Sequence, residues 1–231
     1  MLIILLSCVN EHIRNRRGTS KSFMALLVFV IATLASDLLS WIGEGHVELS
    51  MLTTVSNTVA VCFSYVTIIC FMLYLRETLN SKSKLLSAMV GLFGALSVIT
   101  MMFFVANIFY EYAFYVDEFG HYVRVEDMIM SIIYLQFPVL SLIAIVLALM
   151  LTKTADKTIK SSFIIYTIFP IAGVLLDYFI HGISLTYIGL VLSVLIIYAN
   201  IYLQKQKIIE RQKNALMLSQ INPHFVYNTL S

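Results

Sequence analysis

Charge is scarce in this sequence. Lys, Arg, Asp and Glu make up only 12 % of 231 residues while 60 % are hydrophobic, against about a quarter charged and about half apolar in soluble domains. A mean hydropathy of +0.89 makes the bilayer, rather than water, the main solvent. Cysteine is also rare. Cys8, Cys62 and Cys70 are odd in number and sit inside apolar segments, which suggests neither a disulfide framework nor a zinc cluster. Four of the histidines, His12, His46, His121 and His181, are scattered without ligand spacing, so metal sensing finds no support. No basic residue precedes the first apolar stretch, and 10–17 does not resemble a small-residue cleavage site, which disfavours a secretory signal.

What the sequence does have is long apolar runs. Six of them, 23–43, 51–75, 85–107, 128–151, 162–180 and 184–203, are each about the twenty residues a helix needs to cross roughly 30 Å of hydrocarbon. They are apolar on every side rather than alternating, so the expectation is helices and not barrel strands. The fold class is therefore all-α, a polytopic membrane helical bundle of six full spans over 1–203, followed by a cytoplasmic helix. The apolar segment 1–9 is too short to cross alone, and fits either a fragment of a seventh span or a segment lying shallowly in the membrane.

The net charge of +2 conceals a strong asymmetry. Fourteen of the fifteen basic residues fall before the first span, after the second, after the fourth and after the last, leaving only Arg124 on the other connections. The positive-inside rule makes the fourteen-residue side cytoplasmic, with the C-terminal tail in the cytosol and the protein in the plasma membrane. The opposite connections carry Glu44, Glu48, Glu111, Asp117, Glu118, Glu126 and Asp127, and Trp41 falls near that outer interface.

Beyond residue 203 the sequence turns polar, rich in helix formers and without Gly or Pro until Pro223, so the last span is expected to run on as a signalling helix over 204–219. Ile201, Ile208 and Ala215 recur at steps of seven, but Lys205 and Gln212 interrupt the pattern. Both a solvated helix and a dimeric coiled coil fit it. Then comes Ser219-Gln220-Ile221-Asn222-Pro223-His224-Phe225-Val226-Tyr227-Asn228-Thr229-Leu230. This stretch resembles the phosphoacceptor box of the LytS-like sensor histidine kinases, a class with multi-span membrane sensors. The likeness covers about twelve residues, and the rest of the chain agrees only in being a multi-span region ending at a helix.

The resemblance implies that 220–231 begins a phosphoacceptor domain, that His224 is autophosphorylated, and that the chain works as a homodimer with a response regulator downstream. A neutral imidazole near pH 7 has a ring nitrogen free to attack phosphorus. Asn228, one helical turn on, is placed to hydrogen-bond the imidazole or the transferred phosphate. No Asn-rich or Gly-rich segment for Mg-ATP lies within 1–231. The chain alone is therefore expected to hold no cofactor and not to phosphorylate itself. It would be either a truncated product or the acceptor for an ATP-binding kinase domain in cis or in trans. Nucleic acid is not expected as a partner.

Candidate sensing residues are few. Asp37 and Asp177 lie in apolar spans on the outward side, with His181 one turn after Asp177. They fit either a polar or proton-sensitive pocket or a hydrated headgroup boundary. The connection 108–127 contains Tyr110, Tyr112, Phe114, Tyr115, Phe119 and Tyr122, with a turn at Asp117-Glu118-Phe119-Gly120 between short alternating strands, which predicts a hairpin lid. Its aromatics fit ligand stacking or interfacial anchoring. Pro138 and Pro170 fall inside spans, where kinks are expected. Two rival functions stay open: a transporter or channel using Asp37 and Asp177, and a non-catalytic receptor whose tail docks a partner. Against a transporter stand the lack of an internal repeat and the paucity of helix-breaking glycine.

Overall fold

The computed structural model describes residues 1–14, 20–78, 84–125, 157–179 and 184–220. Six helices and one hairpin are described: α1 (Leu2–Arg14), α2 (Lys21–Gly43), α3 (Ser50–Thr78) after a short 3-10 turn at Val47–Leu49, α4 (Lys84–Tyr110), β1 (Phe114–Val116), β2 (Tyr122–Arg124), α5 (Lys157–Phe179) and α6 (Leu185–Gln220). The expected span 128–151, with Pro138, lies outside the described residues. Four helices, α2, α3, α4 and α6, are long and apolar enough to cross a membrane, while the apolar part of α5 is the shorter stretch Ile164–Asp177. The predicted helical architecture is thus present, with four membrane-length helices rather than six among the described residues.

These helices are apolar nearly all round, as expected of segments that meet lipid on one side and protein on the other. Packing picks out one face of each. On α2, Phe23, Leu26, Leu27 and Val30 are fully buried, at the spacing of one helical stripe. They join Phe71, Met72 and Leu75 of α3, Phe93 and Phe104 of α4, and Leu190, Val194 and Ile197 of α6 in one core. The main packed pairs are α2 with α3, α5 with α6, and α3 with α4, and α2 also touches α1 and α6.

Small residues set how closely the axes approach. Thr33, Ser36, Ser40 and Gly43 of α2 are buried, as are Thr53 and Ser56 of α3. Hydroxyls in these helices fold back onto their own backbone: Thr33 donates to the Phe29 carbonyl at 2.8 Å and Thr67 to that of Phe63 at 2.7 Å. Each stays satisfied without water. Between α5 and α6 the approach is tighter, since a Cβ on Gly189 would lie 2.5 Å from the Phe169 carbonyl oxygen. The contact falls beside Pro170, which removes one amide from the α5 ladder. There the Ser193 hydroxyl reaches the Ile165 carbonyl at 3.3 Å as well as that of Gly189 at 2.9 Å.

The hairpin expected from sequence is present. Phe114 pairs with Arg124, Tyr115 with Val123 and Val116 with Tyr122 in antiparallel register. Its turn is held by Asp117, whose carboxylate accepts from the amides of Phe119 and His121 at 2.9 and 2.8 Å. Its base is held by Asn107 of α4, fully buried, which accepts from Ala113 N at 2.7 Å and donates to the Phe114 carbonyl at 2.9 Å. The tip rests on the α2–α3 turn, where the Gly45 amide donates to the Gly120 carbonyl at 2.9 Å. Gly120 has φ +84°, and a Cβ there would meet the His46 backbone nitrogen at 2.7 Å.

Both constraints on Gly120, left-handed backbone and backbone contact, act together. Gly120→Val is expected to lower stability by about 1–3 kcal/mol and to expose the end of β2 to proteolysis at Arg124. Thermal melting and limited trypsin cleavage at Arg124 in detergent would measure it; an unchanged midpoint and cleavage rate would contradict the docking.

Candidate functional site

Carboxylates that join one helix to another stand at the two ends of the bundle. At one end, three helices meet through two carboxylates. Ser184 stands immediately before α6, in the N-cap position, and its backbone carbonyl accepts from Tyr187 N and Ile188 N at 3.1 and 3.3 Å. Its hydroxyl does not cap the helix, because it donates to Asp37 of α2 at 2.9 Å. Asp177, near the end of α5, supplies the cap: Leu185 N donates to one oxygen at 2.7 Å, and Thr186 N and the Thr186 hydroxyl donate to the other at 3.0 and 2.5 Å.

A carboxylate on the first amides of a helix satisfies donors that have no partner within the helix and meets the positive end of its dipole. Asp37 and Asp177 both accept hydrogen bonds from the start of α6, at Ser184 and at Leu185 and Thr186. The donors from α6 are what allow both to sit there. The arrangement therefore ties α2 and α5 to the start of α6 and holds a half-buried polar cluster at that end.

On the same side the hairpin docks. Glu44, just past α2, accepts from the Tyr122 amide at 3.0 Å and faces His121 Nδ1 at 3.6 Å, an ion pair when the imidazole is protonated. Tyr112 donates to the Phe103 carbonyl at 2.5 Å and stacks beside Tyr110 with ring centroids 6.3 Å apart. Burial, and then the neighbouring Tyr110, raise the Tyr112 phenol above its ordinary pKa, so it serves as a donor. The aromatic lid thus has its rings divided between packing and solvent: Phe114 is buried and packs at a tilt against Tyr122, centroids 5.2 Å apart, whereas Tyr110 and Phe119 are exposed.

At the opposite end, Glu77 of α3 accepts from the hydroxyls of Ser20 and Ser22, closing the N-terminus of α2 onto α3. Positions that the charge pattern assigns to one side thus lie together: Glu44, Asp37, Ser184 and the hairpin at the acidic end, Ser20 and Glu77 at the basic end.

Of the residues singled out from sequence, Asp37 and Asp177 come together, though through Ser184 and Thr186 rather than directly. His181, His224 and Asn228 lie outside the described residues. The sequence reading overlooked Ser184, Thr186, Glu77 and Asn107. Ser184 followed by a helical run is a recognisable start signal, whereas nothing in sequence tells that its hydroxyl serves another helix. Among the described residues no group of His, Cys, Asp or Glu is placed to hold a metal ion. No protein-family model matches the chain, no curated protein matches it, and no solved structure matches it.

The cap makes a graded expectation. Asp177→Asn keeps one acceptor oxygen and should cost less than Asp177→Leu, which leaves the α6 amides unpaired and loses about 1–2 kcal/mol. Melting followed by circular dichroism in detergent would rank them, and equal midpoints for the two variants would refute a capping role.

Proposed function

We propose that the chain is the membrane sensor portion of a two-component sensor histidine kinase, relaying an extracellular or intramembrane signal to autophosphorylation on His224. One observation carries the reading beyond the twelve-residue likeness. The helix α6 begins at the Asp37–Asp177 cluster and continues without a break to Gln220, 36 residues in all, or about 54 Å. It ends four residues before His224, so a displacement at the acidic end has a stiff path to the phosphoacceptor segment.

The charge bias supports a multi-pass plasma-membrane protein with a cytoplasmic tail. The hairpin and the carboxylate cluster then face outward, where a stimulus would act on the start of α6. In the polar stretch of that helix Ile208, Ile209, Leu216 and Met217 are each more than half exposed. Apolar side chains on a helix in water favour a partner helix, which supports a homodimer. Mg-ATP would be bound by a kinase domain in cis or in trans, and a response regulator would take the phosphoryl group from His224. Asp177 commits both oxygens to donors of α6, which favours a positioning role over an ion path and so favours the sensor over a transporter.

Incubating the purified chain with the ATP-binding domain of a related kinase and γ-labelled ATP should give acid-labile, alkali-stable label. His224→Gln should abolish it, and Asn228→Ala should slow it about tenfold, the worth of one hydrogen bond. Label that persists in His224→Gln, or no label at all, would overturn the acceptor assignment.

A further inference from the structure

The hairpin at the acidic end has two faces, and the bundle uses one of them. Register and alternation put Phe114, Val116, Tyr122 and Arg124 on one face and Tyr115 and Val123 on the other. Phe114 is buried and packs against Tyr122, so the first face meets the bundle. Tyr115 stands opposite Val123 on the outward face and is exposed. Exposed apolar side chains flank this face at both ends. Phe109 and Tyr110 lie at the base of the hairpin and Phe119 and Val47 at its tip, each more than half exposed. Val47 belongs to the α2–α3 turn on which Gly120 rests.

Carboxylates accompany the apolar groups at both ends. Glu111 follows Tyr110 at the base, Glu118 precedes Phe119 at the tip, and Glu48 follows Val47 in the turn beside it; all three are exposed. Glu44 and Asp117 are committed to the hairpin itself. Glu48, Glu111 and Glu118 meet no cation among the described residues, and Arg124 already has a partner other than these. At the base, Glu111 sits between Tyr110 and Tyr112, whose rings lie 15° from parallel with centroids 6.3 Å apart. Two phenol rings beside an unpaired carboxylate suit an ammonium or a guanidinium. Exposed aromatics alone would fit an interfacial anchor. The unpaired carboxylates disfavour it, because they would face anionic headgroups, whereas a partner that is both basic and apolar matches both components of the surface.

We propose that the outward face of the hairpin is a docking surface for a cationic amphipathic peptide. Its apolar residues lie on Tyr115 and Val123, and its basic residues pair with Glu111 at one end and with Glu118 and Glu48 at the other. The chain from Glu111 to Glu118 spans at most about 23 Å, within reach of a short extended segment. A peptide held there loads the hairpin where Glu44 and Gly45 join it to α2, the helix that carries Asp37. Binding at this face is independent of phosphoryl transfer. That the peptide is the stimulus of a kinase sensor rests on the function proposed above.

The test is fluorescence anisotropy with the full chain in phosphatidylcholine nanodiscs. The probe is a labelled synthetic peptide with a run of leucines between paired lysines, and its counterpart carries glutamates in place of the lysines. The lysine peptide should bind at least about tenfold more tightly than the glutamate peptide. Glu48→Gln, Glu111→Gln and Glu118→Gln combined should weaken it about tenfold, and Tyr115→Ser about fivefold. Glu210→Gln, on the polar stretch of α6, should change nothing. Trypsin cleavage at Arg124 should be unchanged in each variant; the three glutamates are exposed, so their substitution keeps the test valid if Tyr115→Ser loosens the hairpin. In a Trp41→Phe background, Phe119→Trp should be quenched by aqueous iodide and not by lipids brominated on their acyl chains. Equal affinity for the two peptides, or full affinity in the glutamine variant, would overturn the surface, and quenching by the brominated lipids would assign the face to the bilayer instead. Peptide binding that survives a failure of His224 labelling would support this surface and overturn only the kinase reading.

Discussion

Hydrocarbon offers no hydrogen-bond partner, so a chain built to lie in it must satisfy each polar group from within. The interiors of α2, α3, α4 and α6 do so through their own backbone ladders, and Thr33, Thr58, Thr67 and Thr100 do so by donating back to carbonyls one turn earlier. Helix ends cannot. The first amides of α6 have no intrahelical acceptor, and Asp177 provides one from the preceding helix. The first turn of α2 meets the same requirement through Ser20 and Glu77. Much of the polar structure follows from the need to close helix ends.

That requirement also explains where specificity resides. Leu, Ile, Val and Phe fill the core in stripes that many sequences would satisfy, whereas each polar contact at an end admits few substitutes. Asp37 holds Ser184, Asp177 holds Leu185 and Thr186, and Asn107 holds the hairpin strand, so α2, α4, α5 and α6 are each fixed by a side chain that chooses its partner. The hairpin is bound to this frame by Glu44 and Gly120 instead of standing free. A molecule that disturbs the lid acts on the turn after α2, and α2 carries Asp37.

The two ends differ chemically. The acidic end is built of carboxylates met by amides and hydroxyls, and toward the basic end α1 meets α6 where the Tyr198 hydroxyl donates to that of Ser7. Both touch α6, one at its first turn and one near the end of its apolar run. A single helix that is held at both places transmits displacement only if it is unbroken between them. Gly189, the only glycine in α6, sits where the backbone of α5 presses closest, so it relieves contact without interrupting the ladder.

How much of this was legible in the sequence depends on whether a feature is local. Helical spans at 23–43, 51–75, 85–107 and 184–203 follow from apolar length, and α2, α3, α4 and α6 cover them. The hairpin follows from Asp117 and Gly120 between alternating residues, because turn chemistry is written within four positions. The common side of Glu44, Ser184 and the lid follows from counting charges. By contrast, that Ser184 serves Asp37 while Asp177 caps α6, that Glu77 closes α2, and that α1 meets α6 at Ser7 and Tyr198 depended on tertiary structure. Each joins residues far apart in the chain, and apolar helices of similar composition can pack in many orders; only the assembled bundle decides which polar groups meet. The sequence by itself determined the apolar helices, the uneven placing of charge on their connections and the likeness around His224, since these are properties of single segments and their charges. Tertiary structure decided which ends are tied together, because hydrogen bonds between helices exist only once the helices have chosen their neighbours.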